Sequence, residues 1–126
     1  MNTTAHDLGS RAYAALLAGN WPTLRTLLHD DATWTLPGDH ALSGTTVGAD
    51  AVIAQMRKVA DYGVQFRLER LLTSRDNLAL LQHNTGHRGD VVLGEHLATV
   101  CRLRDGRIAE IETFADDVPG MNAFFV

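Results

Sequence analysis

Histidines and hydroxyl groups at alternate positions in the second half of the chain are the side chains best suited to move a proton. Residues 78–87 alternate in the manner of a β-strand, which places Leu81, His83, Thr85 and His87 on one face. An imidazole titrates near neutral pH, and burial in an apolar site favours its neutral, basic form. We therefore predict that His83 is a catalytic acid or base. The alternative is a histidine that only hydrogen-bonds a neighbouring strand or solvent.

Carboxylates near the end of the chain are a second source of proton transfer. Asp116 follows the last apolar run and is predicted as a second catalytic group, although an aspartate at that place also serves to end a strand. Glu95 shares a strand face with Leu97, Thr99 and Cys101, which would allow it to enter the rim of the cavity. Because an unpaired buried carboxylate is costly, we expect Glu95 to be solvated.

Helical periodicity is confined to the first half of the chain. Apolar residues recur at three- and four-residue spacings in residues 4–18 and 49–60, which predicts two amphipathic helices. Pro22 suits the first turn of a further short helix over residues 23–28. Residues 39–47 contain several Gly and Thr residues and are predicted as a loop.

Strand patterns dominate the second half. One strand is predicted before the third helix and four after it, the last three joined by hairpins: residues 32–36, a strand from residue 64, then 78–87, 93–103 and 107–115. Helices therefore do not alternate with strands as a parallel sheet requires. The predicted class is α+β, a curved antiparallel or mixed β-sheet with about three N-terminal helices on one face.

Length and composition limit the possible classes of protein. A chain of 126 residues with 45% hydrophobic residues suits one core, so residues 1–126 are predicted to form a single domain. The net charge of -4 and the scattered basic residues argue against nucleic acid as a partner. No apolar run is long enough to span a membrane, and the first residues do not resemble a secretory signal. We expect a cytoplasmic location.

Motifs for cofactors and metals are missing from the sequence. The single cysteine, Cys101, has no partner for an intramolecular disulfide, and no set of Cys and His has the spacing of a zinc site. No glycine-rich phosphate loop is present either. The sequence therefore predicts a protein that acts without a cofactor or metal.

Three stretches resemble the SnoaL-like branch of the nuclear transport factor 2-like superfamily, which includes polyketide cyclases, ketosteroid isomerase and limonene epoxide hydrolase. The first two are Asp31-Ala32-Thr33-Trp34-Thr35-Leu36-Pro37-Gly38, followed by Leu42-Ser43-Gly44, and Gly48-Ala49-Asp50-Ala51-Val52. The third is Asp105-Gly106-Arg107-Ile108, leading to Phe114-Ala115-Asp116. The resemblance implies a cone-shaped sheet that encloses a pocket with the helices. It also implies a homodimer formed through the outer side of the sheet.

The family's catalytic residues are replaced at the positions that the resemblance assigns to them. The carboxylates of its isomerase and cyclase members map onto Leu36, Thr99 and Thr113, none of which can exchange a proton in the same way. The Arg and Asp of the epoxide hydrolase map onto His83 and Thr85. The resemblance therefore implies the family's pocket without its usual catalytic carboxylates.

The resemblance and the strand pattern together predict an apolar pocket with a few polar groups. Its predicted ligand-binding residues are Tyr13, Trp34, Leu36, Met56, Phe66, Leu81, Thr85, His87, Leu97, Thr99, Ile111 and Thr113. The predicted function is an enzyme of the cyclase, isomerase or epoxide hydrolase type that acts on a small hydrophobic or polyketide-like molecule. The alternatives are a non-catalytic binding or carrier domain and a dimerising scaffold, which a cavity smaller than ~300 Å³ would favour.

Overall fold

The computed structural model describes residues 4–126 and contains four helices and six strands in this part of the chain. The helices are α1 (Ala5–Ala18), α2 (Trp21–Thr26), α3 (Ala49–Asp61) and α4 (Val118–Phe124). The strands are β1 (Leu28–Leu36), β2 (Gly44–Val47), β3 (Gln65–Ser74), β4 (Asn77–Arg88), β5 (Val91–Arg104) and β6 (Arg107–Ala115). The α+β class is thereby confirmed, with α1, α2 and α3 ahead of most of the sheet.

The six strands form one curved sheet in the order β2-β1-β6-β5-β4-β3. The first strand pairs in parallel with the last, and the other neighbours are antiparallel, so the sheet is mixed. Buried and exposed residues alternate along β4. The inner face of the sheet packs against the helices, and the outer face carries exposed side chains such as those of Phe114 and His96.

Two-residue turns set the register of the meander from β3 to β6. Arg88 pairs with Val91 and Arg104 pairs with Arg107, which leaves only two residues in each hairpin loop. In the second loop Asp105 and Gly106 have φ values of 52° and 77°. Positive φ at both central residues is typical of the type I′ turn, whose twist matches that of the flanking strands.

Two elements, β2 and α4, were not predicted from the sequence, and β1 begins at Leu28, where the predicted second helix was expected to end. The predicted loop 39–47 contains β2, an exposed edge strand of four residues with no buried face to produce an alternating pattern. The end of the chain contains α4, which begins after Asp117, whose carboxylate accepts a hydrogen bond from Gly120 N at 3.0 Å. At seven residues α4 is too short for helical periodicity to be recognised.

The helix ends follow ordinary capping chemistry. Thr4 caps α1 by accepting a hydrogen bond from Asp7 N at 3.1 Å, and Gly19 ends the helix with a φ of 64°. No helix in residues 4–126 is long and apolar enough to cross a membrane.

Candidate functional site

A small apolar cavity lies between the inner face of the sheet and the helices. Its volume is about 110 Å³, and residues from all four helices contribute to its walls. Ligand pockets for drug-sized molecules usually measure ~300 Å³ or more, whereas an engineered cavity of ~150 Å³ accommodates benzene. The space therefore suits a molecule with at most a single ring.

Most of the predicted pocket residues lie around this cavity. The nine that line it are Tyr13, Trp34, Leu36, Met56, Phe66, Leu97, Thr99, Ile111 and Thr113. They come from α1, α3 and four strands, because each of these elements turns one face inward. What these residues bind remains a prediction.

The expectation that His83 faces the pocket is wrong. Leu81, His83, Thr85 and His87 lie on the outer face of β4, whereas Leu78, Leu80, Gln82 and Asn84 face inward. Both sets mix apolar and polar residues, so composition did not separate them. The two-residue hairpin loop does separate them, because it pairs Gln82 with the inward-facing Leu97. A shift of one residue in this register exchanges the two faces of the strand.

Asp116 also lies outside the cavity lining. Its Oδ1 accepts a hydrogen bond from His96 N at 3.0 Å, and its own N–H donates to the His96 carbonyl at 3.1 Å. The aspartate therefore fastens the end of β6 to β5, which is the strand-ending role that the sequence analysis gave as the alternative.

Glu95 is the main residue that the sequence analysis misjudged. It was expected in solvent, but its side chain lines the cavity and the residue is only 2% exposed. Within residues 4–126 the buried side-chain oxygens without a hydrogen-bond partner are Glu95 Oε2 and Asn84 Oδ1. These two residues are direct cross-strand neighbours on β5 and β4. Together they form the polar end of the cavity.

The other polar groups of the cavity are already hydrogen-bonded within the protein. Trp34 Nε1 donates to Thr113 Oγ1 at 3.0 Å, and the Thr99 hydroxyl donates to Gln82 Oε1. The Tyr13 hydroxyl donates to Phe66 O at 3.2 Å and accepts from Leu68 N at 2.9 Å. Glu95 and Asn84 are therefore the groups best placed to hydrogen-bond a ligand.

Burial changes the acidity of two groups in the cavity wall, Glu95 and Cys101. Removal from water, aided by the nearby charges of Asp116 and Asp117, raises the pKa of Glu95 to about 7. Burial alone raises the pKa of the Cys101 thiol to about 12. The carboxyl group can therefore gain or lose a proton near neutral pH, whereas the thiol stays protonated and unreactive.

Metal-binding groups are not concentrated in the cavity. Across residues 4–126 no set of three or more His, Cys, Asp or Glu side chains is arranged to hold a metal ion. The described residues that line the cavity include no Lys, Arg or His. The cavity thus has a single acidic group and no basic one.

The architecture is that of the nuclear transport factor 2-like proteins. An NTF2-like protein from Burkholderia xenovorans matches it with a TM-score of 0.84 over 100% of both chains at 16% identity, which shows the fold alone. The family model for the SnoaL-like domain matches residues 10–111, and this chain belongs to that family. It is a family of small-molecule binding domains and enzymes.

Other relatives are similar over nearly the full chain. The Bal32a protein from a soil-derived mobile gene cassette has a TM-score of 0.90 and 26% identity, covering 97% of this chain and 96% of its own. The Mycobacterium tuberculosis protein Rv0034 is 28% identical over an alignment of 123 positions that covers 94% of each chain. These matches support the same fold from end to end.

Proposed function

We propose that the chain is a cofactor-independent enzyme that transfers a proton to and from a small, neutral, apolar substrate, with Glu95 as the acid or base. The observation that carries this proposal is the burial of a carboxyl group at the cavity wall with an oxygen that no protein group hydrogen-bonds. An unpaired buried carboxylate destabilises the fold, so its presence favours a functional role over a structural one.

The proposed reaction is proton abstraction from the carbon next to a ketone. The Glu95 carboxylate accepts the proton, and the C–H electron pair forms an enolate. The free atom of Asn84 is the acceptor Oδ1, so the step requires the side-chain amide to turn over and present its NH2 group as the donor to the enolate oxygen. Return of the proton from the Glu95 carboxyl group to another carbon completes an isomerisation or starts a cyclisation. Glu95 and Asn84 can act on one substrate because they are cross-strand neighbours on the same face.

The size and charge of the cavity favour a smaller range of substrates than the sequence alone indicated. Its volume of about 110 Å³ favours a single-ring ketone over a polycyclic polyketide. Glu95 lies near Asp116 and Asp117, and the cavity lining in the described residues provides no basic side chain. These charges disfavour anionic substrates such as carboxylates.

Exchange of carbon-bound protons in heavy water tests this proposal without knowledge of the natural substrate. Cyclopentanone and cyclohexanone are incubated with the protein, and the loss of their α-proton signals is followed by NMR. We expect faster loss than in buffer alone, because a general base contributes roughly 10²- to 10⁴-fold. Glu95→Gln should return the rate to the level of buffer.

Two controls make the result decisive. His83→Gln should exchange protons at the unaltered rate, because His83 lies on the outer face of β4. Saturation-transfer NMR shows whether each ketone binds the original protein and Glu95→Gln. A ketone that binds the protein yet exchanges no faster than in buffer would refute the proposed reaction.

A non-catalytic binding domain is the second candidate. The mainly apolar walls and the replacement of the family's carboxylates by Leu36, Thr99 and Thr113 favour it. A ligand that is held tightly and recovered unchanged after long incubation would support this alternative. The small volume of the cavity also favours the dimerising scaffold, for which no single-ring compound should bind.

We also propose that two copies of the chain associate through the outer face of the sheet. Phe114 and Leu72 lie in strands of the sheet and are 53% and 47% exposed, so both can supply apolar contact area to a second copy. Sedimentation analysis measures the association, and Phe114→Asp should shift it toward the monomer.

A further inference from the structure

A cluster of two histidines and a glutamate lies on the outer face of the sheet, away from the cavity. His83 on β4 is the cross-strand partner of His96 on β5. Their rings are stacked with centroids 4.3 Å apart and planes inclined by 10°. His96 Nδ1 donates a hydrogen bond of 2.8 Å to Glu69 Oε1 on β3. We call these three residues the histidine cluster.

The hydrogen bond from His96 to Glu69 leaves the other ring nitrogen of His96 as an electron-pair donor. With the proton held on Nδ1, the lone pair is on Nε2, and the side chain is 58% exposed. A carboxylate in this position also fixes the orientation of the ring. The same arrangement supports histidines that bind metal ions in many proteins.

His83 provides a second imidazole beside the first. Neither of its ring nitrogens is hydrogen-bonded to another group within residues 4–126. Two Zn–N bonds of ~2.0–2.1 Å at a tetrahedral angle hold their nitrogens roughly 3.3 Å apart. The rings are stacked with centroids 4.3 Å apart and planes inclined by 10°, so they must splay apart by side-chain rotation before their in-plane lone pairs converge on one cation.

We propose that His83 and His96 form a binding site for a divalent transition-metal cation such as Zn²⁺. Imidazole is a preferred ligand of Zn²⁺, Cu²⁺ and Ni²⁺, whereas Mg²⁺ and Ca²⁺ favour oxygen ligands. Two positions of a tetrahedral zinc are filled by the pair. Water or the same pair of a second chain fills the other two.

The charges around the histidine cluster are mixed and slightly favour a cation. The Glu69 carboxylate is bonded to His96, and the Asp116 carboxylate accepts from the backbone N–H of the same residue. The guanidinium of Arg67 lies 3.4 Å from Glu69 Oε2 and opposes cation binding. Because Arg67 is paired with the Glu69 carboxylate, the Asp116 carboxylate is left to attract the metal.

Calorimetric titration of the full-length, untagged protein with Zn²⁺ after treatment with a chelator tests the site. We expect a stoichiometry of one zinc per chain, or one per two chains if a second copy completes the coordination. His83→Gln and His96→Gln should each weaken zinc binding at least tenfold. Glu69→Gln should weaken it ~10-fold, because loss of such a supporting carboxylate usually costs 10- to 100-fold in affinity.

His87→Gln is the matched control, since it removes another exposed histidine from the outer face of β4. Its zinc affinity should equal that of the unaltered protein. Circular dichroism spectra must show that every variant keeps its fold. Unchanged zinc affinity in folded His96→Gln, or an equal loss in His87→Gln, would overturn the proposal. Neither result would affect the proposed role of Glu95, which faces the cavity.

Discussion

The two faces of the sheet place similar side chains in opposite environments. Glu95 is buried at the cavity, and removal from water raises its pKa to about 7. Glu69, on the outer face, hydrogen-bonds His96, and this contact lowers the pKa of the glutamate. The identity of the residue therefore does not decide its acidity. The comparison shows that one sheet can raise the pKa of a carboxyl group on one face and lower it on the other.

Adjacent leucines on β4 provide the strongest test of this difference between faces. Leu80 is 6% exposed in the cavity wall, whereas Leu81 lies on the outer face. We expect Leu80→Ala to lower the free energy of unfolding by ~2–5 kcal/mol because it enlarges a cavity in a packed interior. Leu81→Ala should change it by only ~0.5 kcal/mol in the monomer. Urea denaturation of both variants measures the two effects, and equal losses would contradict the assignment of faces.

The effect of pH on Glu95→Gln is the second test. The folded protein binds the Glu95 proton more tightly than the unfolded chain does. The stability that this proton contributes is therefore complete below the unfolded pKa of 4.5 and is lost as the pH rises through about 7. One pKa unit corresponds to ~1.4 kcal/mol, and solvent screening reduces the total, so we expect the variant to be more stable by ~2 kcal/mol at pH 8. At pH 4 the two proteins should be equally stable. The measurement is the denaturant midpoint of each protein from pH 4 to pH 8. A constant difference between the two midpoints over this range would contradict the prediction.

Glu69→Gln should have the smallest effect, because its contact with His96 is exposed to solvent. We expect a slight decrease in Tm at low ionic strength. The decrease should disappear in ~1 M salt, where the Debye length is only about 3 Å. Differential scanning calorimetry at the two salt concentrations measures this change. A decrease that persists in high salt would show that Glu69 acts through packing.

Much of the sheet could be predicted from the sequence, but the direction of one strand face could not. The pattern of β5 and β6 correctly placed Leu97, Thr99, Ile111 and Thr113 at the cavity. In β4 both faces mix leucines with polar residues, so periodicity gave no direction. The register imposed by the loop Gly89-Asp90 shows which face of β4 points inward, and this loop can be recognised in the sequence.

Glu95 was misjudged for a different physical reason. The high cost of burying a carboxylate favoured solvent, and that rule holds for most proteins. The rule fails where function maintains the unfavourable contact, and sequence periodicity cannot reveal such a case. Asn84 was missed together with Glu95, because its inward direction depends on the same register in β4.

The parallel pairing of β1 with β6 has a consequence for how the chain folds. The hairpins from β3 to β6 connect residues that are close in sequence, whereas Trp34 and Ile111 pair although they lie far apart in the sequence. Long loops are slow to close, so we expect the meander to form first and β1 to join it late. Because Trp34 and Ile111 both line the cavity, no binding site exists until that last step. A ligand can therefore slow unfolding of the finished protein but cannot accelerate its folding.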